Sequence, residues 1–92
     1  MLRIAHEALH NAVRHAHADH VTVRLAGEDG KLVLEVSDDG VGFDPRAPDV
    51  RSRHLGLTSM EERARESRGR LKIRSAPGQG TTVRAVLSPD GA

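Results

Sequence analysis

Val36-Ser37-Asp38-Asp39-Gly40-Val41-Gly42-Phe43-Asp44 is the stretch on which the reading of this chain turns. An alternating run, Lys31-Leu32-Val33-Leu34-Glu35-Val36, ends there in two acids and two glycines spaced two apart. Glycine takes left-handed backbone angles at little steric cost and lets a ligand lie against the main chain. Asp38, at the end of the strand, is placed to accept a hydrogen bond from an amino group in a pocket. Taken alone the segment is ordinary turn chemistry, because Asp-Gly pairs close turns in many proteins. Its meaning depends on what surrounds it.

Upstream, His20-Val21-Thr22-Val23-Arg24-Leu25-Ala26 alternates apolar and polar, the pattern of a half-buried strand. With the turn Gly27-Glu28-Asp29-Gly30 it predicts an antiparallel hairpin over 20–38 with a four-residue loop. Before it, residues 2–17 read as an amphipathic helix whose apolar face is Leu2, Ala5, Leu9, Ala12, Val13 and Ala16. Glu7, Asn11 and His15 stand four apart, with Arg14 beside them. Four helical steps displace a side chain by only about 40°, so these groups form a polar stripe on another face.

Downstream, residues 44–55 carry two prolines, three arginines (Arg46, Arg51, Arg53) and almost nothing to bury. Such a segment cannot offset its ordering entropy and reads as a mobile lid over a site. A second helix follows over 57–69, with Leu57, Met60 and Ala64 as its inner stripe, Thr58 or Ser59 as cap and Gly69 as terminator. Leu71 to Arg74 and Thr81 to Leu87 make a second hairpin, 70–87, around Ala76-Pro77-Gly78-Gln79-Gly80. Helix, hairpin, lid, helix, hairpin is the order of an α+β domain. It predicts a two-layer α/β sandwich with both helices on one face of a mostly antiparallel sheet.

Composition narrows the function. Ninety-two residues make one small domain, and 14 basic against 13 acidic residues leave a net charge of +1, no field for nucleic acid or an anionic membrane. One Phe and no Trp or Tyr provide no platform for base stacking. With no cysteine there are no disulfides and no thiolate metal sites, which fits a reducing compartment. No apolar run reaches the roughly 20 residues of a spanning helix, and no signal-peptide pattern opens the chain. The expected location is cytoplasmic, without membrane contact by these residues, although a longer parent protein is compatible with a membrane anchor.

Four motifs stand in order: Glu7-Ala-Leu-His-Asn11-Ala-Val-Arg14-His15-Ala, Asp38-Asp-Gly40-Val-Gly42-Phe43, His54-Leu55-Gly56-Leu57-Thr-Ser-Met60-Glu-Glu-Arg63-Ala, and Ser75-Ala-Pro-Gly78-Gln-Gly80-Thr81-Thr82-Val. Together they resemble the ATP-binding catalytic domain of two-component sensor histidine kinases. This is the Bergerat-type fold shared with gyrase and MutL. The third motif looks most like the subfamily that signals to LuxR/NarL-type response regulators. The resemblance implies that Asn11 is a ligand of Mg2+ bridging ATP phosphates and that Asp38 reads the adenine amino group, with Thr81 supporting it. It further implies that Gly40 and Gly42 leave room for the nucleotide and that Gly56 opens a helix whose N–H groups face phosphates. By the same resemblance Arg14 and His15 would lie near the phosphates, Phe43, His54, Leu55, Leu57 and Thr82 would join the nucleotide site, and Glu7 would take a proton-accepting or orienting catalytic role.

The family's domain normally begins with a strand and a helix ahead of the asparagine helix. The chain is therefore expected to start inside the domain, with part of one layer uncovered or paired in a homodimer. The phosphate acceptor is expected on a separate dimerisation and histidine-phosphotransfer domain, with a response regulator downstream. Three other readings stay open: an anti-sigma-type serine kinase, a non-catalytic ATP-sensing module, and a metal-binding domain using His6 and His10, four apart on the helix. A P-loop is excluded, since no G-x-x-x-x-G-K-[ST] occurs.

Overall fold

The computed structural model describes residues 2–48 and 56–88, the side chain of Leu2 excepted. The lid residues 49–55, with Arg51, Arg53, His54 and Leu55 among them, lie outside the described residues. Six regular elements follow one another: α1 (Leu2–His10), β1 (Val21–Glu28), β2 (Lys31–Asp38), α2 (Leu57–Glu66), β3 (Arg70–Ser75) and β4 (Thr81–Leu87). The strands form one antiparallel sheet in the order β1-β2-β4-β3. The α+β sandwich expected from the element order is the architecture observed.

Register decides which residues meet the helices. One rung runs Val21–Asp38–Thr81–Ser75 across all four strands, and two residues further in runs Val23–Val36–Val83–Ile73. Side chains on these rungs face the helix layer, because successive residues of a strand point to opposite faces. Ile4 and Ala8 of α1 and Leu57, Met60 and Ala64 of α2 bury against Leu34, Val36, Val83, Ala85 and Leu87. The rung between them, Thr22–Ser37–Thr82–Arg74, faces the other way. There the Ser37 and Thr82 hydroxyls share a 3.1 Å hydrogen bond, and further along that face Glu28 holds Arg24 and Arg84.

Several local expectations need correction. The first hairpin closes on two residues, not four: Asp29 and Gly30 both have positive φ (52° and 77°), and β1 continues to Glu28. This is the Asp-Gly pairing whose twist matches that of the flanking strands. The first helix is not α-helical to residue 17; it passes at Asn11 into a π turn, Asn11–His15, closed by Ala16 N–H on the Asn11 carbonyl at 2.8 Å. Its buried stripe is Ile4, Ala8, Ala12 and Ala16, whereas Leu9 (38% exposed) and Val13 (65%) face out. Three alanines four apart let the helix approach the sheet more closely than Leu and Val would allow. Val23 and Leu25, on the helix-facing side of edge strand β1, are also exposed, since α1 packs over β2 and not over β1.

The second helix is capped differently as well. Gly56 stands at its N-cap with φ 70°, and neither Thr58 nor Ser59 takes that place. At the other end Gly69 N–H bonds the Ala64 carbonyl (2.8 Å) and Arg68 N–H the Arg65 carbonyl (3.0 Å), a Schellman closure. The left-handed residue in it is Arg68 (φ 55°), not Gly69. Gly69 is required for a different reason: a Cβ there would run into the Val86 carbonyl.

Candidate functional site

Above the two helix-facing rungs lies a cavity of about 340 Å3. Val36, Asp38, Ile73, Thr81 and Val83 of the sheet form one wall, and Val41, Gly42 and Phe43 close its end. Ala8, Asn11, His15 and Ala16 of the first helix form the opposite wall, with Leu57 and Met60 of α2. A largely apolar hollow with a few convergent polar groups, at the lower end of the usual ligand-site size of roughly 300–1,000 Å3, is the common form of a small-molecule site.

The two polar groups on the sheet wall are held by identifiable hydrogen bonds. Asp38 ends β2 and lines the cavity, and its Oδ1 accepts the Gly40 N–H at 2.8 Å, which orients the carboxylate. Thr81, its neighbour on the rung, shares a 2.8 Å hydrogen bond with Ser75 Oγ. Ser75 Oγ also accepts the Phe43 N–H (2.8 Å) and donates to the Gly80 carbonyl (3.0 Å). That hydroxyl therefore joins three segments: the strand carrying Thr81, the loop carrying Phe43, and the β3–β4 turn. Asn11 sits where the α-helix becomes the π turn, and its amide oxygen is buried. Widening the helix there brings His15 and Ala16, four and five residues on, to the same wall.

Not every residue implied by the motifs reaches the cavity. Asn11, His15, Asp38, Gly42, Phe43, Leu57 and Thr81 line it; Glu7, Arg14, Gly40, Gly56 and Thr82 do not. Thr82 is a correction imposed by strand alternation, since it points to the opposite face of the sheet and bonds Ser37. Arg14 is exposed beyond the wall. A Cβ at Gly40 would strike the carbonyl and methyl of Ala16, so its smallness serves chain packing. Gly42 (φ 66°) is likewise hemmed in by the Ala76 carbonyl, even though it lines the cavity. The carboxylate of Glu7 lies against Gly56, at the N-terminal end of α2, where the helix dipole favours an anion.

The sequence reading missed two polar residues. Ser75 lies in the fourth motif but had no role, because the partner that links it to the cavity-closing loop, Phe43, lies 32 residues away. Asp39 accepts the N–H groups of Asp19 and His20 (2.9 Å each) and meets His20 Nδ1 at 2.9 Å. The His20 backbone N–H, then the His20 ring, hold its carboxyl below the ordinary aspartate range. Among the described residues no group of three or more His, Cys, Asp or Glu side chains is disposed to hold a metal ion, which leaves the His6/His10 reading without a built site. Nor is any described helix long and apolar enough to cross a membrane.

A two-layer sandwich with one apolar, acid-tipped cavity between sheet and helices defines a small-ligand-binding domain. Residues 1–91 match the family model described as histidine kinase-, DNA gyrase B-, and HSP90-like ATPase, and the chain belongs to that family. It is 41% identical over 80 residues to the sensor histidine kinase ComP of Bacillus subtilis, a match covering 87% of this chain and 10% of ComP. It is 38% identical over 90 residues to the nitrate/nitrite sensor protein NarX of Escherichia coli, covering 98% of this chain and 15% of NarX. Among solved structures, the histidine kinase domain of the Erythrobacter litoralis EL346 blue-light activated histidine kinase superposes with a TM-score of 0.77 at 25% identity, over 95% of this chain and 42% of that one. The chain thus spans a small fraction of the length of the curated relatives it matches. ATP binding is the property this membership carries.

Proposed function

We propose that this domain binds Mg-ATP in the cavity and presents the γ-phosphate to a histidine on a separate domain of a two-component sensor kinase. The observation that carries the reading is that Asn11, on the first helix, and Asp38, at the end of the second strand, line one cavity. The Asp38 carboxylate accepts a hydrogen bond from the exocyclic amino group of adenine, and Val36, Ile73, Val83 and Met60 enclose the ring. Thr81 completes the polar corner, and its hydroxyl is steered by Ser75.

Asn11 fits a role toward magnesium. Its amide oxygen is a hard, neutral ligand, and the ion characteristically keeps several waters and takes few protein ligands when it binds between phosphates. Bound there, the ion would neutralise charge on the phosphates. His15 stands on the same wall to meet the phosphate chain.

The reaction is in-line displacement: an imidazole nitrogen attacks the γ-phosphorus, the bond to the bridging oxygen breaks, and ADP leaves. Catalysis is then mainly placement and charge neutralisation. Glu7, half-buried one turn before Asn11, is the residue we assign to orienting the acceptor imidazole or taking its proton. The acceptor histidine belongs to a dimerisation and phosphotransfer domain, and a LuxR/NarL-type response regulator receives the phosphoryl group in turn.

Calorimetry tests the first half. Wild type binds Mg-ATP, Asp38→Asn weakens recognition with or without metal, and Asn11→Ala weakens only the metal-dependent part. Equal binding by all three overturns the reading. Labelled ATP tests the second half: the isolated chain acquires no label, while an added histidine-bearing helical hairpin from a parent kinase does. Label on the chain's own histidines contradicts it.

A further inference from the structure

Asp39 stands next to Asp38 but points away from the cavity wall, and nothing in the nucleotide chemistry uses it. Its carboxylate is nevertheless among the most heavily used polar groups in the described molecule. Oδ1 accepts both the Asp19 and His20 N–H groups, and Oδ2 lies 2.9 Å from His20 Nδ1. The main chain repeats the connection: Asp39 N–H reaches the His20 carbonyl (3.3 Å) and Val41 N–H the Ala16 carbonyl (3.0 Å). Gly40, between them, packs directly on Ala16.

Residues 16–20 thus dock along residues 39–41. This contact joins the two walls of the cavity, because His15 and Ala16 close the helix wall and Asp38 ends the sheet wall. The joining loop is not held by regular structure of its own. His17 within it takes a left-handed backbone (φ 51°), a costly conformation for a non-glycine residue that surrounding contacts must impose.

We infer that Asp39 is a positioning residue for nucleotide binding: its carboxylate clasps the end of the asparagine-bearing helix to the end of the aspartate-bearing strand and so sets the span between the groups that meet phosphate and purine. This rests on the reading of the cavity as an ATP site. An aspartate suits the task because one carboxylate serves three donors on two adjacent residues. Asparagine keeps one acceptor oxygen for the two amides and gives up the anionic partner of the His20 ring. Alanine gives up everything. The bonds are exposed, so water compensates much of their contribution to folding, and their loss shows in the geometry of the site more than in stability.

The test compares Asp39→Ala, Asp39→Asn and, as a control on the opposite face of the sheet, Glu28→Ala. Binding of Mg-ATP and of adenosine is measured by calorimetry, and the side-chain amide signal of Asn11 and the backbone signal of Val41 are followed by NMR. The alanine variant loses at least about fivefold in Mg-ATP affinity while adenosine, which needs only the Asp38 end, changes less than twofold. Its Asn11 and Val41 signals shift. The asparagine variant recovers most of the Mg-ATP affinity, and the Glu28 variant matches wild type throughout. Unshifted Asn11 and Val41 signals in Asp39→Ala overturn the proposal, as does a parallel loss of Mg-ATP and adenosine binding, which would mean general damage. If wild type binds neither ligand, the nucleotide reading fails by itself, and the Asn11 signal still judges the clasp: shifted upholds the mechanical link, unshifted removes it.

Discussion

The two walls of the cavity are built by different means. The sheet wall is locked from both sides. Asp38 pairs with Val21 on one flank and Thr81 on the other, its carboxylate is oriented by Gly40, and Ser75 binds Thr81 to the loop carrying Phe43. The helix wall has fewer fixings. Asn11 and His15 ride on a π turn, and the loop that returns the chain to β1 is joined to the sheet through Asp39, Val41 and the contact of Ala16 with Gly40. Stiffness here follows from hydrogen-bond connectivity, and substitutions can probe each wall separately.

The largest effect is expected at the rigid wall. Asp38→Ala removes a charged acceptor from a polar corner, a loss of about 1.5–3 kcal/mol, or roughly ten- to a hundredfold in Mg-ATP affinity by calorimetry. Retained affinity would break the comparison at its strongest point. Gly42→Ala comes next: its φ of 66° and the Ala76 carbonyl leave no place for a methyl group. A cost on the order of 1–3 kcal/mol is expected in denaturant unfolding.

Ser75→Ala leaves the Phe43 N–H without its acceptor and should cost about 1–2 kcal/mol in stability, with weaker adenosine binding as the loop loosens. On the helix wall, acid provides a gentler probe. The folded-state pKa of Asp39 is depressed, so its clasp contributes above the unfolded-state value and is lost as pH falls through the lower folded-state value. The Asp19 and His20 amide signals should therefore titrate with a midpoint below that of an ordinary aspartate, the His20 backbone bond being the main cause. A midpoint at or above the ordinary value would mean that the clasp is not formed. Smallest of all, Thr82→Val on the far face should leave Mg-ATP affinity within about twofold, since it loses only a part-exposed hydroxyl pair with Ser37.

Legibility followed the range of the interactions. Strands β2 and β4 and the inner stripe of α2 were readable, because alternation and three-to-four spacing are local properties of the chain. The buried face of the first helix was read only in part: Ala12 and Ala16 are buried as expected, but Ile4 and Ala8 take the places given to Leu9 and Val13, and only the sheet's proximity decides between the two arcs. Thr82 was misassigned because adjacent strand residues share a motif but not a face. Ser75 and Asp39 were passed over because the contact of Ser75 with Phe43 and those of Asp39 with Asp19 and His20 bridge residues distant in sequence.

By itself, then, the amino-acid sequence determined the element order, the sheet's alternation and the family, since these are written in local periodicity and motif spacing. The tertiary structure alone decided that Asn11 and Asp38 share a cavity, that Gly40 packs on Ala16, and that Asp39 bonds the loop leading from the helix wall. The physical reason is that each of these depends on close approach between segments whose separation along the chain carries no information about their separation in space.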